Sequence, residues 1–211
     1  FMTYKASAAA REDEGPLRAV SFEHELVLEQ VSFRYPQAVE AALQDVTLKI
    51  QKGEAIGLVG PSGAGKTTLA DIVAGLLEPD QGRVLVDGTD ITGTLAAWRR
   101  SVGYVPQTIY LLDDTLRRNV ALGLPDSEID PERLARALHL AQLDDLVASL
   151  SEGAETILGE NGVRLSGGQR QRIGIARALY HGPSLLVMDE ATSALDNETD
   201  HDVTQAIDSL M

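Results

Sequence analysis

The glycine-rich stretch at residues 60–67, GPSGAGKT, constrains the possible fold of this chain more than any other feature. It matches the pattern G-x-x-x-x-G-K-[ST], follows an apolar run at residues 55–60, AIGLVG, and precedes a predicted helix. The backbone N–H groups of such a loop point inward, and the N-terminus of the next helix adds partial positive charge. We therefore predict a strand, a phosphate-binding loop and a helix, in that order.

The side chains of this loop predict a nucleotide site with a divalent metal. Lys66 has the reach to contact terminal phosphates, and the hydroxyl of Thr67 is a ligand for Mg²⁺. A glycine-rich strand–helix turn with a surface lysine is the alternative, and it requires no ligand. The chain has no cysteine, so thiolate-bound metals and disulfides are excluded. The predicted nucleotide contacts are Gly60, Ser62, Gly63, Ala64, Gly65, Lys66, Thr67 and Thr68.

A second apolar run, LLVM at residues 185–188, ends in Asp189 and Glu190. A fully apolar run of this length is typical of a buried parallel strand. At the carboxyl end of such a strand, Asp189 would hold the hydrated metal, and Glu190 would face the attacking water. An Asp-Glu pair after a strand also often marks only the start of a helix, so it is the phosphate loop that favours a metal and a base here.

The remaining pattern is that of an α/β protein. Asp130 and Pro131 form an N-cap and first-turn pair within a helical insertion predicted for residues 113 to about 180. Residues 1–24 lack periodicity and are predicted to be a linker or a remnant of cloning. Strands are predicted at residues 26–35, 46–50, 55–60, 83–88, 102–106 and 185–188, and helices from about Gly65 to Pro79 and over residues 198–211.

The charge of the chain is acidic overall and unevenly distributed. The formal net charge of −14 argues against a broad nucleic-acid surface. Residues 164–177 nevertheless carry four arginines and no acid, while residues 184–211 carry seven acids and no lysine or arginine. An exposed basic helix face with acidic neighbours is the ordinary explanation for the arginines.

The stretch RLSGGQRQR at residues 164–172 predicts a second anion site. Ser166 and Gln169 have the S-x-x-Q spacing of a capping box, so a helix is expected to start at Ser166. Gly167 and Gly168 leave the first amides of this helix uncovered, and two arginines follow. Because residues 60–67 already bind phosphate, we expect this site to serve the nucleotide of a second subunit, arranged head to tail.

The stretch LSGGQ at residues 165–169 resembles the signature of the ABC ATPases, and the other motifs of that family occur in the same order. GPSGAGKT resembles its Walker A motif, LLVMDE its Walker B motif, and SALD at residues 193–196 its D-loop. The resemblance covers about residues 26–211. It implies a P-loop NTPase core with a parallel central sheet, an N-terminal antiparallel β subdomain and an inserted helical subdomain, within one nucleotide-binding domain at residues 25–211.

The resemblance also implies that ATP and Mg²⁺ are bound between the Walker A motif of one subunit and the signature of the other. It assigns Tyr35 to stacking on adenine, Gln107 to the Q-loop and Asp196 to the D-loop. The alternatives are a core residue for Tyr35, a turn residue for Gln107 and a helix N-cap for Asp196. The implied catalytic residues are Glu190, Gln107 and Lys66, the implied metal ligands are Thr67, Gln107 and Asp189, and the implied signature contacts are Ser166, Gly167, Gly168 and Gln169.

Two further segments resemble exporters of this family. TILGENGVRLSGGQ, at residues 156–169, places Glu160 in the position of a coupling glutamate, and residues 106–123 resemble the exporter segment after the Q-loop. The apolar run at residues 109–112 is then expected to contact a transmembrane domain, unless it belongs to the subdomain core. The implied setting is the cytoplasmic face of a membrane, with a second nucleotide-binding domain and a membrane domain as partners and no nucleic acid.

The family also carries a switch histidine beyond the D-loop helix. None of the four histidines, at positions 24, 139, 181 and 201, has this place, so we expect the chain to stop before it and to be a weak or inactive ATPase. The initial Phe1 likewise indicates a fragment. Two other functions remain open: a soluble ABC protein of translation or DNA repair, which the acidic charge and single cassette disfavour, and a non-hydrolysing nucleotide-dependent interaction module.

Overall fold

The computed structural model describes residues 20–159 and 165–189. Its N-terminal part is an antiparallel sheet of four strands, β1 (Glu25–Phe33), β2 (Leu43–Gln51), β3 (Gln81–Val86) and β4 (Thr89–Asp90), in the order β2–β1–β3–β4. Leu26 and Leu28 alternate along β1, and Val31 follows after an irregularity in the strand register; all three are fully buried, as the sequence pattern predicts.

The helix after the glycine-rich loop, α1 (Lys66–Val73), contributes to the same core as the antiparallel sheet. The sequence prediction extended this helix to Pro79, which was wrong. Gly75 has a left-handed φ of 71°, and the N–H of Leu76 donates to the carbonyl of Asp71 at 2.8 Å, which ends the helix. Trp98, in α2 (Leu95–Arg99), is fully buried and donates its indole N–H to the carbonyl of Val73 at 2.8 Å.

The strand predicted at residues 55–60 is absent among the described residues. No described segment pairs with it, and Val59 is 98% exposed. An apolar run forms a strand only if a neighbouring strand pairs with its backbone through hydrogen bonds. The sequence of the run alone does not show whether such a neighbouring strand is present.

A parallel pair of strands forms the second layer of the fold. β5 (Val102–Val105) pairs with β8 (Leu185–Met188), with Val105 opposite Met188. β8 was predicted to be buried, but only Val187 is, and the other three residues are half-buried. Because the two strands are parallel, their carboxyl ends, and the residues that follow them, lie at the same edge.

Helices fill the chain between these two strands, as the sequence predicts. Asp130 caps α4 (Pro131–Leu140) by accepting from the N–H groups of Glu132 and Arg133, so the predicted cap is confirmed. The helices form a second core with residues of β5 and β8. The elements between these strands are β6 (Asp114–Thr115), α3 (Leu116–Val120), α4 (Pro131–Leu140), α5 (Asp144–Ser149), β7 (Ile157–Leu158) and α6 (Gly167–Leu179), with short 3₁₀ helices at Asp126–Glu128 and Gly153–Glu155. A further 3₁₀ helix, at Thr92–Thr94, precedes α2.

Residues 20–24, which the sequence placed in a linker, are part of the folded domain. Phe22 is buried and its ring meets that of Trp98 edge to face, with centroids 6.2 Å apart. Asp87, in the β3–β4 turn, accepts hydrogen bonds from the N–H groups of Glu23, His24 and Glu25. The start of β1 is thereby tied to the end of β3.

Candidate nucleotide-binding site

Two glycines give the loop at residues 60–67 its shape. Gly63 and Gly65 have φ values of 81° and 86°, in the left-handed region that favours glycine. A Cβ atom at Gly65 would lie 2.5 Å from the carbonyl oxygen of Ala42, so no other residue fits there without movement. Gly65 is also the N-cap of α1 and provides no side-chain cap, which leaves the first helix amides available to an anion.

The ammonium group of Lys66 lies against its own loop. It donates to the carbonyls of Gly60 at 2.9 Å and Pro61 at 3.0 Å. Both partners are neutral, so phosphate oxygens, which carry charge, would be stronger acceptors for the same group.

Thr67 and Asp189 bring the phosphate loop and the end of β8 together. The Thr67 hydroxyl donates to Oδ2 of Asp189 at 3.0 Å, and the N–H of Asp189 donates to the carbonyl of Val105 at 2.9 Å. A hydroxyl and a carboxylate are the hard oxygen ligands that Mg²⁺ prefers, so these residues fit that metal. Within residues 20–159 and 165–189 no cluster of three or more His, Asp or Glu side chains could hold a metal, and Mg²⁺ typically takes one or two carboxylates together with substrate phosphates.

Gln107 lies in a bend two residues after the end of β5 and is exposed. Since β5 and β8 are parallel neighbours, this bend and Asp189 both lie just beyond the carboxyl ends of the two strands, at the same edge of the sheet. The structure thus places the two predicted metal ligands, Gln107 and Asp189, on adjacent strand ends.

Tyr35 lies beside the phosphate loop and is not a core residue. Its hydroxyl is 3.2 Å from that of Thr68, in the first turn of α1, and its ring meets Phe33 edge to face. The side chain is 38% exposed, unlike the buried Phe33. The alternative that Tyr35 completes the apolar face of β1 is therefore wrong, while its stacking on adenine stays a prediction.

The helix predicted to start at Ser166 does so, and its capping box is present. The Ser166 hydroxyl accepts from the N–H of Gln169 at 3.1 Å, and the side chain of Gln169 accepts from the N–H of Ser166 at 2.9 Å. Gly167 and Gly168 are the first two residues of the helix, and no described residue accepts a hydrogen bond from their N–H groups. This exposed first turn retains the properties of an anion site.

Two of the four clustered arginines donate hydrogen bonds to backbone carbonyls of the protein itself. Arg172 donates to the carbonyl of Gln142 at 2.7 Å, and Arg177 donates to the carbonyls of Asn119 at 2.8 Å and Tyr110 at 3.0 Å. These two side chains are therefore held by backbone carbonyls of the helical part. Burial lowers the pKa of Arg177 from its usual value, because desolvation disfavours the charged form of the guanidinium.

The apolar run at residues 109–112 divides between core and surface. Ile109 packs on α6 and Leu111 is buried, whereas Tyr110 and Leu112 are 74% and 52% exposed. The buried amide of Asn119 bonds the N–H and the carbonyl of Leu112. The backbone under the two exposed side chains is thus held firmly from α3 and α6.

The family described as "ABC transporter" matches residues 43–193 of the chain. This range includes the phosphate loop, Gln107, the capped helix α6 and Asp189. The chain belongs to the ABC transporter family.

Two curated relatives of this ABC domain have names that refer to a lipid flippase and to secretion. The chain is 49% identical, over 89% of its length, to the ATP-dependent lipid A-core flippase of Cupriavidus metallidurans. It is 48% identical, over 82% of its length, to the cyclolysin secretion/processing ATP-binding protein CyaB of Bordetella pertussis. It spans 32% of the first protein and 24% of the second.

A solved structure has the same fold as this ABC domain. It is described as a bacterial Atm1-family ABC exporter with ATP bound, at 34% sequence identity and a TM-score of 0.82. The match covers 92% of the present chain and 34% of the exporter chain. The α/β fold with an N-terminal antiparallel sheet is therefore that of an ABC nucleotide-binding domain.

Several predicted residues of the ABC domain lie outside the described part of the chain: Glu160, Glu190, Asp196 and His201. Among the helices that the structure does describe, none has the length and apolar character needed to cross a bilayer.

Sequence reasoning missed two side chains near Thr67 and Asp189, which are Asp71 and Tyr104, and a third beneath the exposed apolar residues, which is Asn119. Asn119 carries no motif, and its bonds go to backbone atoms of residues 112–115. Asp71 carried a usable signal, because an acid four residues after Thr67 lies on the same face of a helix.

Proposed function

We propose that this chain is the ATP-binding domain of an ABC exporter and that it binds and hydrolyses MgATP to power transport. The observation that carries the proposal is the hydrogen bond between Thr67 and Asp189, in a loop where the preceding residue, Lys66, holds its ammonium group against the loop carbonyls. It joins a phosphate loop to a carboxylate at the end of a parallel strand, the arrangement that phosphoryl-transfer sites use.

Each of these residues has a defined task in the proposed reaction. Lys66 exchanges the carbonyls of Gly60 and Pro61 for phosphate oxygens, and Thr67, Asp189 and Gln107 hold the metal. The chemistry expected from bound Mg²⁺ is neutralisation of phosphate charge. Glu190, directly after Asp189, orients the attacking water and accepts its proton.

The exposed first turn of α6 supports a second part of the proposal. Its free N–H groups at Gly167 and Gly168, with the Ser166 hydroxyl, would contact the γ-phosphate held by another subunit. Asp196, in the D-loop, would lie at the same interface. The active form is then a head-to-tail dimer with two nucleotides between its halves.

Tyr110 and Leu112 support a membrane domain as the other partner. Their apolar side chains face solvent although the backbone beneath them is held by Asn119 and Arg177. Exposed apolar groups on a firm base are typical of contact surfaces. With Glu160, they would connect the domain to the cytoplasmic side of a transporter.

The test is calorimetric titration of MgATP into the wild-type chain and into Lys66→Ala. We expect the variant to lose ATP affinity by at least about tenfold, because a charge-assisted contact to phosphate is worth roughly 1.5–3 kcal/mol. Lys49→Ala is the matched control, since it removes the same charge from an exposed position on β2. Equal affinities of wild type and Lys66→Ala would contradict the assignment of the loop.

A further inference from the structure

We propose that Tyr104 and Asp71 are a positioning pair that holds α1 against the β5–β8 pair so that Thr67 and Asp189 can bind one metal ion together. Neither residue belongs to the set that contacts nucleotide or metal in the proposed function. The inference rests on that function, because it concerns how the magnesium ligands are kept in place.

The two pairs form neighbouring links between the same elements. Asp71 lies four residues after Thr67, one turn further along the same face of α1. Tyr104, in β5, lies opposite Val187, in β8. Val187 is two residues before Asp189 in the sequence. The hydroxyl of Tyr104 donates to Oδ1 of Asp71 at 3.1 Å, and the hydroxyl of Thr67 donates to Oδ2 of Asp189 at 3.0 Å.

The environment of Asp71 makes its bond to Tyr104 important. Burial raises the pKa of Asp71 from its usual value, the hydrogen bond from Tyr104 lowers it, and the negative charge of Asp189 raises it. A half-buried carboxylate close to another carboxylate is unfavourable unless a donor satisfies it. Without the Tyr104 hydroxyl, water would have to replace this donor, and the direct link between α1 and β5 would be lost.

The second link matters most when a metal is bound. A cation that takes the oxygens of Thr67 and Asp189 as ligands replaces their direct hydrogen bond. The Asp71–Tyr104 bond then still connects α1 to the strands, so the spacing between the two ligands depends on it. Groups that orient metal ligands in this way typically change metal affinity by 10–100-fold when they are removed.

Tyr104→Phe removes the link and keeps the ring. Tyr180→Phe is the matched control: Tyr180 is buried in the helical part, where its hydroxyl accepts from the N–H of Asp130 at 2.8 Å. Each variant loses one tyrosine hydroxyl with one hydrogen bond, but only Tyr104 is near the metal ligands. Asp71→Asn is the third variant, because its amide oxygen still accepts from Tyr104 while the charge is gone.

The experiment measures the binding of a fluorescent ATP analogue by energy transfer from Trp98, the single tryptophan of the chain. Magnesium is titrated at fixed nucleotide, and nucleotide is titrated separately in EDTA. For Tyr104→Phe we expect the magnesium midpoint to rise by about tenfold, with nucleotide affinity in EDTA unchanged. Tyr180→Phe should match wild type, and Asp71→Asn should shift the midpoint less than Tyr104→Phe does.

A Tyr104→Phe midpoint within about twofold of wild type would overturn the inference, and so would an equal shift in Tyr180→Phe, since any lost hydrogen bond would then have the same effect. A larger shift of the magnesium midpoint in Asp71→Asn than in Tyr104→Phe would also overturn the inference, because the charge of Asp71, and not its hydrogen bond to Tyr104, would then determine magnesium affinity. If wild-type nucleotide binding does not respond to magnesium at all, the proposed function fails and the inference fails with it.

Discussion

The carboxylate of Asp87 links the β3–β4 turn to the chain at the start of β1 through hydrogen bonds to the backbone. It accepts three backbone N–H groups, from Glu23, His24 and Glu25, at 2.7–2.9 Å. Burial raises its pKa, but the three hydrogen bonds act in the opposite direction and hold the pKa below its usual value. The ionised form is therefore the one that stabilises the folded chain.

This shift predicts how stability depends on pH. The folded pKa of Asp87 is below that of an unfolded aspartate, about 4, so its contribution is complete above that pH and is lost as pH falls through the folded pKa. We expect Asp87→Ala to lower the free energy of unfolding by about 2 kcal/mol at neutral pH, and the difference from wild type to shrink in acid. Urea unfolding followed by Trp98 fluorescence measures this difference at both pH values.

Asp113→Ala is the control for this prediction. Asp113 is exposed, and no described residue donates a hydrogen bond to its carboxylate. Its substitution should change stability little at either pH. A stability difference for Asp87→Ala that stays constant from neutral to acid would contradict the role of the ionised carboxylate.

Single-residue roles were predictable where both partners are close in sequence. The caps Asp130 and Ser166 were found because a helix N-terminus needs an acceptor two or three residues before the amides it leaves open. Arg172 and Asn119 were not, because their partners are backbone carbonyls and amides on other elements. A carbonyl has no sequence signature, so only the fold shows which side chain reaches it.

At the scale of elements, α6 lies unusually close to the segment after β5. A Cβ atom at Gly174 would lie 2.4 Å from Cδ1 and 2.8 Å from Cγ1 of Ile109. The missing side chain at Gly174 makes room for Ile109, and Arg177, one turn later, bonds the next carbonyl at Tyr110. The helix that starts with the signature therefore holds the exposed apolar residues in place.

A double-mutant cycle tests this contact. Gly174→Ala alone should destabilise the protein by about 1–2 kcal/mol, because the added methyl overlaps Ile109. In the background of Ile109→Ala the same change should stabilise it by up to about 1 kcal/mol, because alanine is the better helix former. The sign should thus reverse between backgrounds in chemical unfolding. A Gly174→Ala effect of the same sign and size in both would contradict the close packing.

Elements were predictable from the sequence where their own residues decide them. The alternation in β1 and the periodicity of α4 each report a buried face, and both elements are present. The strand at residues 55–60 and the end of α1 were wrong because they depend on a neighbouring strand and on the left-handed conformation of Gly75. A pattern of hydrophobicity shows which face of an element is apolar, but it does not show which other element packs against that face.

At the scale of the whole molecule, charge opposes self-association. Each chain carries a net charge of −14, and two of the arginines near the signature are committed to internal carbonyls. Fewer positive charges are then available at a dimer interface than the sequence count implies. Closure of two such subunits should require the bridging contacts of a nucleotide, and it should improve as salt screens the repulsion.

The final prediction concerns the exposed first turn of α6. Glu190→Gln should slow discharge of ATP, and this variant should dimerise with MgATP but not with MgADP, which lacks the γ-phosphate. Dimerisation should increase from about 10 mM to about 150 mM salt, as the screening length falls to roughly 8 Å. Adding Ser166→Arg places a long side chain where the phosphate of the facing subunit must lie. It should prevent the dimer and leave ATP binding by the monomer intact, because the phosphate loop is untouched.

Light scattering and a parallel nucleotide-binding assay decide this prediction, with two controls. Ser127→Arg adds the same charge at an exposed serine outside α6 and should leave the dimer intact. Ser166→Ala removes the cap without adding bulk, so its loss of about 1 kcal/mol of helix stability is measured separately. A Ser166→Arg protein that still dimerises would contradict the contact between subunits. One that loses ATP binding as a monomer would mean instead that α6 contacts the nucleotide of its own subunit.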